Sequence, residues 1–269
     1  GMSSTLNGYL SMSRAPVKKR DMYLAIGYNP EGQPIVYYKT NIDHNYGQLC
    51  PTNIFQRDKD DDIDVNYMGL SPDKKYLSLL ISHNGSDWME LKTRDIEAKK
   101  FLPDSVNWIK FNSVVWNNEG FYYVCFDEPH AKRELIEAGK GQRLMYHKLG
   151  TSISRDKQLL TIEDEYAGEI HLQGFDNEKV AILNYSRMQG ERRVSVVAYF
   201  KPDSLELGIK EFIVTPYNGF SPFDVIGMQN GDFLVKSTFK APNGQLVLYN
   251  PNKVNDGRIL IEQFSQPLR

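Results

Sequence analysis

The chain has 269 residues, which is enough for one or two domains at the usual ~100–200 residues per domain. Its 32 Lys and Arg residues and 34 Asp and Glu residues leave a formal net charge of −2, so the charge does not favour binding to nucleic acid or to an anionic membrane. No apolar run approaches the ~18 residues of a membrane-spanning helix, and neither nucleic acid nor a membrane is expected as a partner.

The predicted elements are almost all short strands that are paired across polar turns. The 16 Tyr and 13 Phe residues suit the half-buried faces of such strands. Asn84-Gly85 and Asn243-Gly244 can adopt the positive φ angles that tight hairpins require. The second strands of the hairpins recur about every 50–55 residues, a period typical of propeller blades. The hairpin segments lie at 21–40, 75–93, 120–150, 179–200 and 231–250.

A further strand is predicted on each side of these hairpins. The strands before the hairpins are predicted at 66–70, 108–116, 168–175 and 221–228. The strands after the hairpins are predicted at 53–56, 98–102, 158–162, 210–214 and 258–264. For the first hairpin, the missing strand is expected from the residues before Asp21.

The pattern predicts an all-β fold, a β-propeller with five blades of about four antiparallel strands each. The whole chain, 1–269, is expected to form one domain whose blades close into a ring. A two-sheet sandwich is the alternative, but it would not explain a spacing of about 50 residues. The approximate blades are 21–57, 65–103, 108–163, 168–215 and 221–265.

Cysteine and histidine spacing shows no pattern of a metal site. Cys50 and Cys125 are too few for a disulfide framework, and we expect two buried thiols, although a single bridge between them stays open. Because no Cys-x-x-Cys pair and no pair of histidines four residues apart is present, neither a metal nor another cofactor is expected. His147 falls within a predicted strand, where we expect it to be a packing residue.

One acidic run resembles a calcium loop at first sight. It lacks the glycine and the distal Glu of such a loop, so we expect a solvated outer loop. The run comprises Asp58, Asp60, Asp61, Asp62 and Asp64.

Short motifs between Gly69 and Thr161 carry a family resemblance. Their order and spacing resemble the propeller domain of the prolyl oligopeptidase family, and beyond this window the resemblance rests on the strand pattern. The motifs are Ser71-Pro72-Asp73, Gly85-Ser86-Asp87-Trp88, the turn Leu102-Pro103-Asp104, Lys110-Phe111 with Trp116 beyond it, and Tyr146-His147-Lys148-Leu149-Gly150-Thr151.

In that family the propeller covers a separate α/β-hydrolase domain and restricts access to its serine to short peptides. The Gly-x-Ser-x-Gly elbow of such hydrolases does not occur here, since residues 219–223 lack the final glycine. We therefore expect no catalytic residue and no enzyme activity. The resemblance implies a non-catalytic gating module that binds a peptide or protein partner, such as a separate hydrolase domain. A fragment or truncated product of a larger serine peptidase of this family is the first alternative.

Four residues are candidates for the central funnel, where the ends of the inner strands of a propeller converge. Asp64, Glu169 and Asp224 lie near the starts of predicted inner strands, as the carboxylates of a five-bladed glycoside hydrolase would. Such an enzyme is the second alternative, and it requires a carboxylate pair within roughly 5–10 Å. Phe111 occupies a position where the resembled propellers offer an aromatic contact to the peptide substrate.

We expect no secretion signal at the start of the sequence. Residues 2–7 have neither the basic nor the apolar segment of a signal peptide. This favours a cytoplasmic location, and a mature periplasmic chain stays open as the alternative.

Overall fold

The computed structural model describes residues 16–28, 30, 32, 34–40, 47–110, 112–131, 139–162, 170–175, 179–219 and 221–262. These residues form five four-stranded antiparallel sheets, and the described chain contains short 3-10 turns but no α-helix. Within this part of the chain, no helix is long and apolar enough to cross a membrane. The chain divides into two compact units, residues 1–107 and 108–269.

The first unit holds two sheets, each a meander in which strands follow one another in chain order. Strand β1 lies before Asp21, as the sequence predicts. Sheet 1 consists of β1 (Val17–Lys19), β2 (Met22–Tyr28), β3 (Pro34–Lys39) and β4 (Gly47–Pro51). Sheet 2 consists of β5 (Ile63–Leu70), β6 (Tyr76–His83), β7 (Met89–Asp95) and β8 (Lys100–Ile109).

The second unit holds three sheets with the same sequential order. Sheet 3 consists of β9 (Val115–Trp116), β10 (Gly120–Cys125), β11 (Arg143–Lys148) and β12 (Lys157–Thr161). Sheet 4 consists of β13 (His171–Phe175), β14 (Val180–Gln189), β15 (Arg192–Phe200) and β16 (Lys210–Pro216). Sheet 5 consists of β17 (Phe223–Gln229), β18 (Asp232–Ser237), β19 (Gln245–Tyr249) and β20 (Gly257–Ile261).

Two predicted strands and one predicted turn outside the hairpins are wrong. The predicted strand 108–116 is not continuous, because Trp108 and Ile109 end β8 and, among the described residues of this range, only Val115–Trp116 forms β9. The predicted strand 53–56 is a 3-10 turn at Asn53–Phe55, because the backbone N–H and the hydroxyl of Thr52 both donate to the carbonyl of Pro34 and end the ladder there. The predicted turn at residues 102–104 lies inside β8. Because β8 is the last strand of its sheet, Pro103 needs no ladder partner on its outer side.

The hairpin turns are confirmed in one case and corrected in the other. Asn84 and Gly85 have φ angles of 51° and 69°, and the N–H of Ser86 donates to the carbonyl of His83 at 3.0 Å. This is the type I′ geometry whose twist matches that of paired strands. In the second turn only Gly244 has a positive φ, 87°, and Asn243 does not.

Apolar clusters fill the space between neighbouring sheets within each unit. In the first unit, Leu24, Val36 and Cys50 of sheet 1 pack with Val65 and Leu79 of sheet 2. In the second unit, one cluster joins sheets 3 and 4 and another joins sheets 4 and 5. Each of these cores forms because directly paired strand residues project to the same side of their sheet.

Both cysteines are buried and free, as expected for structural thiols. Burial raises the pKa of Cys50 and of Cys125 to about 11 each. Both thiols are therefore protonated at neutral pH and serve as packing groups rather than nucleophiles.

Candidate functional site

The predicted funnel residues are only partly within the described chain. Asp64 lies on β5 opposite Ser82 and is exposed, and Asp224 lies on β17 opposite Lys236 and is also exposed. Phe111 and Glu169 lie outside the described residues. Because Asp64 and Asp224 belong to different compact units, the carboxylate separation that a glycosidase requires stays untested.

A β-bulge shapes β5, the first strand of sheet 2, next to Asp64. Val65 pairs with Ile81 and Tyr67 with Leu80, so Asn66 is the extra residue. The amide of Asn66 turns towards β6 and donates to the hydroxyl of Ser82 at 2.9 Å. The bulge therefore places Asn66 and Tyr67 side by side on β5.

A cavity of about 140 Å³ lies beside this bulge. At this volume it can hold one small apolar group. Its polar end is marked by Lys19, whose ammonium lies 4.9 Å from the ring centroid of Tyr67 and 3.4 Å from its hydroxyl. Such a site combines an apolar recess with a cation that can attract a carbonyl or carboxylate oxygen. The lining residues are Val17, Lys19, Ile26, Val65, Asn66, Tyr67 and Met68.

Sequence reasoning misses this cavity because its walls come from strands far apart in the chain. Lys19 and Tyr67 are 48 positions apart, and neither belongs to a recognisable motif. The only sequence signal is that both residues fall on the first strands of consecutive predicted units.

The acidic run is not uniformly solvated, and Asp61 is the exception. It is 2% exposed, and its Oδ2 lies 2.7 Å from Nδ1 of His83. A tight turn from Asp58 to Asp61 directs this carboxylate inward, where it also accepts from the backbone N–H of Arg57. Burial alone would raise the pKa of Asp61, but these hydrogen bonds and the neighbouring charges hold it below its usual value.

Glu90 continues this network on the other side of the imidazole. Its Oε1 lies 3.7 Å from Nε2 of His83 and 2.6 Å from Nη2 of Arg57, and its Oε2 lies 3.1 Å from Nζ of Lys92. Burial opposes ionisation of Glu90, yet the two cations hold its pKa below the usual value. Arg57 and Lys92 already neutralise the carboxylate of Glu90. The role of this network is therefore structural: it holds the segment 56–62 against the β6–β7 hairpin. Among the described residues, no cluster of metal-ligating side chains is found.

A second histidine–aspartate pair lies in the interior of sheet 3. Nδ1 of His147 is 2.7 Å from Oδ1 of Asp156, and neither side chain is exposed. Tyr123 donates its hydroxyl to the other carboxylate oxygen at 2.6 Å, and burial together with Asp156 raises the pKa of this phenol. His147 is therefore a packing residue, as predicted, and it is inaccessible to a substrate.

The motif at Ser71 forms a turn rather than a reactive group. The hydroxyl of Ser71 donates to Asp73 at 2.6 Å and accepts from the N–H of Tyr76 at 3.0 Å. Asp73 also accepts from the N–H of Lys75. These bonds stabilise the turn that connects β5 and β6. The motif is therefore evidence for the fold and not for catalysis.

Curated relatives of the chain are peptidases that are much longer than it. The prolyl endopeptidase of Elizabethkingia meningoseptica is 25% identical over 262 residues, which is 94% of this chain and 35% of that protein. The prolyl endopeptidase of Elizabethkingia miricola is 29% identical over 199 residues, covering 70% of this chain and 26% of that protein. The chain thus spans about a third of the curated relatives it matches.

Solved structures show the same fold. A prolyl endopeptidase structure superposes with a TM-score of 0.71 at 18% identity, covering 94% of this chain and 36% of that one. Prolyl oligopeptidase B from Galerina marginata, bound to a 35mer substrate, gives 0.69 at 18% identity, covering 92% and 37%. The family model for the prolyl oligopeptidase N-terminal beta-propeller domain matches residues 53–266. The chain therefore belongs to the N-terminal β-propeller family of prolyl oligopeptidases.

Proposed function

We propose that this chain is a non-catalytic binding module that gates access to a peptidase site and holds a peptide or protein partner. The observation that carries this proposal is the match of the family model to residues 53–266, because the matched domain is the propeller and not the hydrolase. The catalytic hydrolase domain is absent from this sequence. A separate hydrolase domain is one partner of the class proposed, since relatives carry a propeller within a much longer peptidase chain.

The cavity beside β5 supports the binding part of the proposal. A peptide can place one apolar side chain among Val17, Ile26 and Met68, with a backbone carbonyl or terminal carboxylate directed to Lys19. Asn66 lines the same recess and offers a polar contact to the peptide backbone. Sites of this kind, apolar with a few placed polar groups, are typical of ligand recognition.

Isothermal titration calorimetry of the full chain with short proline-containing peptides tests this proposal. We expect saturable binding that Lys19→Met weakens. The matched control is Lys18→Met, because Lys18 is the neighbouring residue on β1 and its ammonium lies over Tyr23 instead of lining the cavity. Equal losses in both variants would exclude the cavity as the binding site, and no binding by the parent chain would refute the peptide-binding proposal.

A further inference from the structure

A buried arginine on β7 lies in the core without a counter-charge. Arg94 is 8% exposed, and its Nε is enclosed. Within the described residues, Arg94 forms neither an ion pair nor a hydrogen bond, and its guanidinium carbon lies 5.2 Å from the ring centroid of Phe101. Because removal of an ionised group from water is costly, arginine is rarely buried unless it is paired. Arg94 therefore needs an anion that the described chain does not supply.

The guanidinium faces the core between sheets 1 and 2. Arg94 pairs with Leu77 on β6, and paired residues project to the same side of a sheet. Leu77 belongs to the apolar cluster that includes Cys50 of sheet 1, and Phe101 packs against that cluster. Burial raises the pKa of the Cys50 thiol, and the nearby guanidinium opposes part of that rise. The thiol stays protonated at neutral pH, so it does not neutralise Arg94.

Exposed lysines lie at the end of sheet 2 where Arg94 is found. Arg94 is the last residue but one of β7. The turns at 71–75 and 96–99 meet at this end, where the N–H of Ile96 donates to the carbonyl of Lys75 at 2.9 Å. Such a group of cations attracts anions from solution. The exposed lysines are Lys74, Lys75, Lys99 and Lys100.

The acidic residues of these two turns do not neutralise the guanidinium. The carboxylate of Asp73 lies 3.8 Å from the ammonium of Lys75. Asp95 follows Arg94 in the strand, so its side chain projects to the opposite face of the sheet. Glu97 is exposed in the turn. Across 71–75 and 94–100, five basic residues are present with three acidic ones, so this end of the sheet stays positive.

We propose that Arg94 is the centre of a binding site for a small carboxylate at this end of sheet 2. A carboxylate matches the guanidinium in shape, because its two oxygens can accept two parallel N–H bonds. It also matches the guanidinium in charge, so the bound pair leaves no net charge in the core. The exposed lysines raise the local concentration of anions. The carboxylate can be a free acid or the side chain of an acidic residue in a peptide.

Thermal unfolding of the full chain in sodium acetate and in sodium chloride at equal ionic strength tests this site. We expect acetate to raise the unfolding midpoint of the parent chain saturably, by at least about 2 °C, because a ligand that binds only the folded state stabilises it. Arg94→Met should abolish this rise. Arg192→Met is the matched control, because Arg192 is an exposed arginine on β15, and this variant should keep the rise.

Two further comparisons separate loss of the site from loss of the fold. In chloride, Arg94→Met should unfold at or above the midpoint of the parent chain, because it removes an unpaired buried charge and leaves an apolar side chain in its place. A midpoint well below that of the parent would show that Arg94 already has a stabilising partner in the chain, and it would overturn the proposal. Arg94→Lys keeps the charge but not the planar fork, so about tenfold more acetate should be needed for the same rise.

A blocked amino acid distinguishes the two sources of the carboxylate. N-acetyl-aspartate amide carries the carboxylate as a peptide side chain does, and N-acetyl-asparagine amide is its uncharged control. A rise in midpoint with acetate or with the aspartate compound, lost in Arg94→Met, supports the site and identifies the source that it accepts. No rise with either compound overturns the proposal, and so does a rise that Arg94→Met retains.

Discussion

Nδ1 of His83 lies 2.7 Å from Oδ2 of Asp61, and both residues are buried although 22 positions separate them in the chain. Asp61 belongs to the segment that leads into β5, and His83 ends β6. Their contact therefore holds an otherwise exposed acidic segment against sheet 2. This role is structural, and it leads to a test that distinguishes Asp61 from its exposed neighbours.

Asp61→Asn should lower the free energy of unfolding by about 1–3 kcal/mol at neutral pH, because a buried charge-assisted hydrogen bond is weakened while its partners stay buried. Asp60→Asn is the control, since Asp60 is exposed and its replacement should change stability by no more than about 0.5 kcal/mol. Urea denaturation of both variants measures the difference. Equal stabilities would show that the Asp61 contact contributes nothing.

The same contact predicts a dependence on acid. The folded-state pKa of Asp61 lies below its unfolded value, so its contribution is present above the ordinary Asp pKa of about 3.9 and is lost as the pH falls through the folded pKa. The stability gap between the parent chain and Asp61→Asn should therefore narrow below about pH 4. Urea denaturation in a pH series measures this gap, and a gap that widens in acid would contradict the assignment.

Trp88→Ala should lower the free energy of unfolding by about 3–5 kcal/mol, as for truncation of a large buried side chain. Trp88 is 8% exposed and follows the type I′ turn at Asn84-Gly85. Ile54→Ala serves as the control, because Ile54 is largely exposed and its truncation leaves no cavity. Chemical denaturation measures both losses, and a loss below about 1 kcal/mol for Trp88→Ala would show that this side chain does not pack in the core.

Gly120→Ala should destabilise the chain by at least the ~1–3 kcal/mol of an overpacked site. A Cβ at this position would overlap the carbonyl oxygen of His147 on the paired strand, so backbone must move. Gly227→Ala provides a matched control within a strand, because its Cβ would meet only Leu234 at an ordinary 3.6 Å. Thermal unfolding compares the two variants, and similar midpoints would refute the close approach at Gly120.

Local sequence signals predict the strands and one turn well. Asn84-Gly85 is predictable because positive φ angles at both positions depend on those two residues alone. The wrong prediction of a strand at 53–56 has the opposite cause. Thr52 donates a hydrogen bond to the carbonyl of Pro34, 18 positions away, and that contact ends the strand. Closure of the five sheets into a ring and the single-domain organisation stay predictions.

The candidate site is less predictable from sequence than the strands. Asp61 is indistinguishable from its acidic neighbours until His83 is placed beside it in space. The cavity likewise depends on Lys19 meeting Tyr67 across two sheets of the first unit. By contrast, the motif residues Ser71 and Asp73 are close in sequence, and their turn follows from that spacing.

The most direct test of the proposed non-catalytic role is turnover of a fluorogenic proline-containing reporter peptide by the purified chain. We expect cleavage no faster than in buffer alone, because the sequence contains no Gly-x-Ser-x-Gly elbow and matches the propeller domain of its family. Addition of a serine-directed phosphonate identifies the source of any signal. Turnover that copurifies with the chain and is abolished by the phosphonate would contradict the non-catalytic role.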